Sequence, residues 1–144
     1  MNDSTLPVLP CMCATLRRVS RALTQVYEEA LRPLGLRATQ FTVLQALFLT
    51  GEVTQGEIGR ILALDSTTLT RTLGIMSRRG WISKRRGKDR REWRLRLSKR
   101  GEIQLERGTR YWEKAQAQVR SKLGSERWDR LLNLSNQATN AVME

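Results

Sequence analysis

The chain has 144 residues, 40% of them hydrophobic, and sets 26 Lys and Arg against 14 Asp and Glu, for a formal net charge of +12 and a pI near 11.1. This length fits one domain around a single core, and the charge calls for an acidic partner: nucleic acid, an anionic membrane surface or an acidic protein. With no histidine, only two cysteines and no GxGxxG or P-loop run, the sequence argues against an enzyme and calls for no metal and no cofactor, because the commonest general base and metal ligand are missing.

No apolar run reaches the length that crosses a bilayer, so no membrane partner is expected. The opening "MNDSTLPVLPCMC" lacks the basic and apolar regions of a secretory signal, which points to the cytoplasm. Residues 1–10, polar and carrying Pro7 and Pro10, read as a mobile tail. Cys11 and Cys13 stand too close in sequence for a relaxed bridge and do not form a disulfide scaffold.

From Cys13 to Leu34, apolar residues at 16, 19, 23, 26, 30 and 34 mark an amphipathic helix closed by Pro33 and Gly35. Thr39 is placed to cap a second helix burying Phe41, Leu44, Leu47 and Phe48 and ending at Gly51. Thr54 and Glu57 form a capping-box pair ahead of a third helix with Ile58, Ile61 and Leu62 on its apolar face. Asp65 caps a fourth almost at once, which buries Leu69, Leu73 and Met76 and stops at Gly80. Two short capped helices with a tight connection predict a helix-turn-helix.

On that fourth helix, Thr67, Thr70, Arg71, Gly74 and Arg78 point away from the core at 100° per residue, and Ser66 and Thr68 lie at its first turn. In a helix-turn-helix this turn faces base edges in the major groove, where hydroxyls donate and accept, a Thr methyl meets a thymine methyl, and Arg71 can pair with guanine. The same Ser and Thr residues would also suit a solvated, capped helix.

"SKRRGKDRREWRLRLSKRG", Ser83–Gly101, sets ten Lys or Arg between 84 and 100 against Asp89 and Glu92. "WISKRR" and "REWRLRLS" around "GKD" predict a β-hairpin, anchored by Trp93, Leu95 and Leu97. A long helix follows with Leu105, Gly108, Trp112, Ala115, Val119 and Leu123 on one stripe, ending at Gly124. Ser125 then caps a last helix that buries Trp128, Leu131, Leu132, Ala138 and Val142.

The wing pattern D-x-R-x-x-x-[LV]-x-L-[ST]-x-x-G is matched by Asp89, Arg91, Leu95, Leu97, Ser98 and Gly101, and "TTLTRTLGIMSRRGWI" is similar to the recognition helix that precedes it. In these motifs, and in helical order over about 12–143, the chain resembles the MarR family of bacterial transcription regulators. The resemblance implies a mainly α fold with a small β-hairpin wing, in which a winged helix-turn-helix core is flanked by terminal dimerisation helices. The expected divisions are the tail 1–10, an N-terminal dimerisation helix 11–36, the DNA-binding core 37–100 and C-terminal dimerisation helices 101–144. It implies that Arg91 enters the minor groove, whose negative potential attracts arginine, and that Asp89 fixes the tip. Arg85, Arg86, Lys88 and Arg90, with Lys84, Arg94 and Arg96, then serve phosphates, which position a protein without reading sequence.

A homodimer would put two recognition helices about 34–36 Å apart on double-stranded DNA, at a pseudo-palindromic operator. The expected function is sequence-specific regulation, as a repressor released from DNA by a small-molecule ligand or by cysteine oxidation; the alternative is sequence-independent nucleic-acid binding. Tyr27, Phe41, Phe48, Tyr111 and Trp112 are candidate lining for a small aromatic effector and equally suit core or interface packing. Cys13 opens the first helix with Arg17 and Arg18 nearby and Tyr27 fourteen residues on. That spacing is similar to the organic-peroxide-sensing branch of the family, whose second tyrosine falls at Arg17 here. Cys13, with Cys11 and Tyr27, is thus the candidate oxidant site, against inert thiols as the other reading.

Overall fold

A computed structural model describes residues 5–143; positions 1–4 of the expected tail, and Glu144, lie outside the described residues. The chain folds as α1 (Met12–Leu31), a 3-10 turn (Arg32–Leu34), α2 (Ala38–Thr50), β1 (Val53–Thr54), α3 (Gln55–Leu62), α4 (Ser66–Arg78), β2 (Ile82–Arg86), β3 (Trp93–Leu97), α5 (Lys99–Leu123) and α6 (Ser125–Met143). The fold is mainly α with a small antiparallel sheet ordered β1-β3-β2. The predicted hairpin supplies β2 and β3, paired from Ile82↔Leu97 to Arg86↔Trp93. The two-residue β1, absent from the sequence reading, adds Val53↔Leu95 and Thr54↔Arg94.

Helix boundaries follow from local chemistry. Proline has no N–H for the α ladder, so α1 stops at Leu31, short of the expected Leu34, and the chain leaves through a 3-10 turn and Gly35 at φ +61°. Residues 5–10 run without regular structure beside α1, where Arg18 Nη1 donates to Pro7 O at 2.9 Å and Thr15 Oγ1 to Leu9 O at 3.2 Å. Arg37, not Thr39, occupies the N-cap of α2; Gln40 Oε1 accepts its N–H at 3.0 Å and Glu28 Oε1 accepts that of Ala38 at 3.0 Å. A carboxylate from α1 thus does what a threonine cap would have done. The box at Thr54 and Glu57 forms both ways, Glu57 N–H to Thr54 Oγ1 at 3.1 Å and Thr54 N–H to Glu57 Oε2 at 2.7 Å.

The core is built from Leu31, Leu36, Phe41, Val43, Leu44, Leu47, Ile58, Leu69, Leu73, Met76, Ile82 and Leu95 with their neighbours. Phe48 does not join it: at 65% exposed it sits in the last turn of α2, which runs past the core with Leu49 and Thr50. Ile61 is also half exposed, since α3 lies at the core's edge and commits only Ile58 fully. Trp93 is exposed rather than anchored, because it pairs with Arg86 at the outer end of the hairpin, beyond the reach of the helices. Leu95 is the hairpin's true anchor, with no exposure.

Ser98 N-caps α5 by accepting the Gly101 N–H at 3.0 Å. Gly101 is obligatory there: a Cβ would stand 2.0 Å from the Trp81 carbonyl oxygen. One turn deeper, α5 buries Gln104, Leu105 and Gly108, so it packs on the winged core before running past it beside α1. α6 departs from expectation twice. Gly124 O accepts the Trp128 N–H at 2.9 Å, which makes Ser125 the first helical residue rather than the cap. None of Trp128, Leu131, Leu132, Ala138 and Val142 is buried, because within one chain α6 packs chiefly at its junction with α5.

Candidate nucleic-acid interface

Asp65 starts the site. Its Oδ1 accepts the Thr68 N–H and its Oδ2 the Thr68 hydroxyl, both at 2.8 Å, which fixes the first turn of α4. The Thr68 backbone N–H, then its hydroxyl, hold the Asp65 carboxyl below the usual carboxylate range. Thr68 is therefore taken up by the cap. Leu69, Leu73 and Met76 point into the core, which turns Ser66, Thr67, Thr70 and Arg71 outward to line one shallow open depression. The structure thus brings together four of the residues singled out on α4. Arg78 is exposed two turns further along the helix.

Gln55 belongs to this surface as well. As the first residue of α3 it crosses the helix-turn-helix angle, and its Nε2 donates to Thr70 Oγ1 at 3.2 Å. The sequence marks its neighbours Thr54 and Glu57 as a capping box, whereas a glutamine between them carries no signal of its own. Gly74 is not demanded by its surroundings, since a Cβ there would meet only Arg78 Nη1 at 3.6 Å.

The hairpin carries the second part. Its loop, 87–92, closes with Gly87 N–H on Glu92 O at 3.0 Å and Glu92 N–H on Asp89 O at 2.9 Å. Asp89 Oδ1 accepts the Arg91 N–H at 3.0 Å, an Asx-type turn that shapes the tip. Arg86 reaches back to the Arg90 carbonyl and stacks its guanidinium 4.4 Å from the Trp93 ring centroid, an attraction to the ring's negative face. What remains is a set of cations with no competing acid: among the described residues, Lys88, Arg90 and Arg91 make no side-chain hydrogen bond or ion pair and all are exposed.

Two of the basic strand residues are engaged instead. Glu52, just ahead of β1, pairs with Arg85 at 2.6 Å and with Arg94 at 3.2 Å. The Arg85 hydrogen bond first, then Arg94, keeps the Glu52 carboxyl below its ordinary range. The residues of this tie between the hairpin and the α2–α3 junction stand up to 42 positions apart, so it has no local signature in the sequence.

The cysteines lie elsewhere, at the far end of α1. Cys11 is the N-cap, its Sγ accepting the Ala14 N–H at 3.5 Å, and Cys13 Sγ accepts from Arg17 Nη2 at 3.5 Å. Both are free and exposed. Tyr27 stands fourteen residues along the same helix, a rise of about 21 Å at 1.5 Å per residue. There its hydroxyl donates to Gln116 Oε1 of α5, and burial pushes its pKa up. Within one chain these three candidates do not form a site. A shallow hollow between α1 and α5, of about 280 Å³, is lined by Val26, Glu29, Ala30, Tyr111, Lys114, Ala115 and Gln118.

Among the described residues no group of three His, Cys, Asp or Glu side chains gathers as a metal site, and no helix is long and apolar enough to cross a membrane.

A model described as the MarR family matches residues 36–93, from just before α2 to the first residue of β3. The transcriptional regulator MosR of M. tuberculosis, solved in complex with DNA, is 34% identical; the likeness covers 92% of this chain and 96% of that one, with a TM-score of 0.81. MarR of E. coli in its apo form is 22% identical over 92% and 98% of the two chains, with a TM-score of 0.75, a likeness of fold. An uncharacterized HTH-type transcriptional regulator of Bacillus subtilis (strain 168), YwoH, is 34% identical over 91 residues, 63% of this chain and 66%, just under two thirds, of that protein.

Proposed function

The chain belongs to the MarR family of winged-helix transcriptional regulators, and from that premise we propose that it acts in the cytoplasm as a homodimeric repressor on a pseudo-palindromic operator in double-stranded DNA. The observation that carries the proposal is the pairing of two surfaces. Ser66, Thr67, Thr70 and Arg71 form an open polar face on α4, and Lys88, Arg90 and Arg91 project without partners from a braced loop. The first has the donor and acceptor groups that read major-groove edges. The second carries the charge that binds phosphates and suits a narrow minor groove. Arg78, Arg85 and Arg86 add phosphate contacts around them. The complex of MosR with DNA, at 34% identity, supports the same reading.

Dimerisation is supported by α6, whose apolar residues lie open: Leu132 is 55% and Leu134 59% exposed. Release from DNA follows binding of a small molecule or oxidation of Cys13 or Cys11, the thiols being free and exposed. The test is binding of purified protein to the DNA upstream of its own gene and to random duplex. Tight binding to the first, weak binding to the second, and a steep fall of affinity with salt are expected. Equal affinity for both would overturn operator recognition and leave a sequence-independent binder. Release by an organic peroxide that is lost in Cys13→Ser would assign the trigger to the thiol; release unchanged in Cys13→Ser and Cys11→Ser would exclude it.

A further inference from the structure

Five of the chain's helical threonines, Thr24, Thr42, Thr50, Thr109 and Thr139, donate Oγ1–H to the carbonyl four residues back, at 2.7–3.0 Å. Such a hydroxyl has spent its one proton on its own helix and can only accept from a partner. Thr70 departs from this habit. Its oxygen instead accepts from Gln55 Nε2 at 3.2 Å, across the helix-turn-helix angle. Thr70 is exposed and lines the depression with Ser66, Thr67 and Arg71, whereas Gln55 is half buried.

We propose that Gln55 sets the polarity of Thr70, so that Thr70 offers an O–H donor to the DNA and the pair selects a base carrying an acceptor. A hydroxyl has one proton and two lone pairs. Gln55 occupies one lone pair and holds the oxygen off the Ser66 carbonyl, the partner it would otherwise take. The proton then has only the groove to point into. Acceptors there are N7 and O6 of guanine, N7 of adenine and O4 of thymine, whereas the cytosine edge offers a donor. Gln55 is a positioning residue in this scheme; Thr70 makes the contact. The inference rests on the DNA-binding reading above.

The experiment is selection of duplexes from a random library by the full-length chain and its variants, reading relative affinity at each base pair. Wild type should favour an acceptor at one position of each half-site. Thr70→Val should reduce that preference by roughly two- to tenfold, the worth of one net hydrogen bond. Gln55→Ala should reduce it at the same position and no other, and the double variant should lose no more than the larger single loss. Gln55→Glu is the decisive change. A carboxylate can only accept, so it would draw the Thr70 proton inward, leave a lone pair toward the DNA, and shift the preference at that position to a base with a donor. A uniform loss of affinity from the added negative charge is read separately, as a change common to all sequences. Wild-type preferences retained in Gln55→Ala or Gln55→Glu, or equal losses on every sequence in Gln55→Ala, would overturn the proposal. A wild-type chain that selects no sequence would instead overturn operator recognition, on which the proposal stands.

Discussion

The Asp89 carboxylate accepts the backbone N–H of Arg91 at 3.0 Å, one residue between them. The bond shapes the tip while leaving the Arg91 guanidinium free. Arg91→Ala should therefore weaken operator binding by tenfold or more and lower the slope of log K against log salt by roughly one. Asp89→Ala should weaken binding less and leave that slope alone, because it loosens the tip without removing a cation; the loss is the entropy of ordering the loop on binding. Fluorescence anisotropy across a salt series separates the two. Wild-type affinity in Asp89→Ala would show that the brace has no part in binding.

On the proposed DNA-binding reading, Glu52 would compete with a phosphate for Arg85. Its carboxylate holds Arg85 at 2.6 Å and Arg94 at 3.2 Å, so a phosphate reaching Arg85 must displace an anion already there. Glu52→Gln should lower the melting temperature slightly, exposed ion pairs being weak, and raise affinity for operator and random duplex alike. A fall in affinity would mean that the tie matters more for aiming the hairpin than for occupying its charge.

Three helical glycines separate necessity from accident. At Gly101 a Cβ would meet the Trp81 carbonyl oxygen at 2.0 Å, and at Gly108 the Phe41 ring at 2.8 Å and Leu36 at 3.0 Å. Gly101→Ala should destabilise by about 3 kcal/mol or more, because backbone must move. Gly108→Ala should cost about 1–3 kcal/mol, because a ring can tilt. Gly74→Ala meets only Arg78 Nη1 at 3.6 Å and should gain roughly 0.5–1 kcal/mol. Urea midpoints at constant m-value test all three; an unchanged Gly101→Ala midpoint would refute the close approach of α5 to the hairpin.

The same residues show why some of this fold was legible and some was not. Thr54, Glu57, Asp65, Ser98 and Gly101 act within four residues of their partners or in a fixed motif, so their roles could be read locally. The cap of α2 could not, because Glu28 of α1 and Gln40 do the work that Thr39 would have done. β1 is two residues long and exists only because β3 pairs with it. The tie from Glu52 to the hairpin and the bond from Gln55 to Thr70 span 15 residues or more and appear only once the helices have packed. Trp93 kept the alternation of an anchored strand but lies too near the tip for the core to reach, so Arg86 stacks on it instead.

Acid should unfold the helix-turn-helix through its caps and through the Glu52 tie to the hairpin. Asp65 is held below its ordinary range by the Thr68 N–H, Glu57 by the Thr54 N–H, and Glu52 by Arg85. Each has a lower pKa folded than unfolded, so as pH falls the unfolded chain takes up protons first. The stabilisation is complete above the unfolded carboxylate range near pH 4 and is lost as pH drops through the lower folded values. The melting temperature should therefore hold from neutral pH to about 5 and fall below about 4. Asp65→Asn keeps a capping oxygen without the titration and should flatten that fall, whereas Asp65→Ala should lower the melting temperature at neutral pH. An acid limb unchanged in Asp65→Asn would remove Asp65 from the account.

α6 gives the last prediction. Nineteen residues long with no buried side chain, it exposes Leu131, Leu132, Leu134 and Val142 to water. α1 does little better, burying only Leu31 fully. Open apolar residues on a terminal helix mark an interaction surface, and in the proposed homodimer a second copy related by a two-fold axis would cover those of α6 and the part of α1 that α5 leaves open. Leu131→Asp with Leu132→Asp should then yield a monomer by light scattering and lose most operator affinity, since one half-site must bind alone. Affinity for a half-site duplex should stay near that of wild type, because the face formed by Ser66, Thr67, Thr70 and Arg71 is built entirely within one chain. A double variant that remains dimeric would move the interface off α6; one that is monomeric yet binds the full operator as tightly as wild type would remove the dimer from recognition.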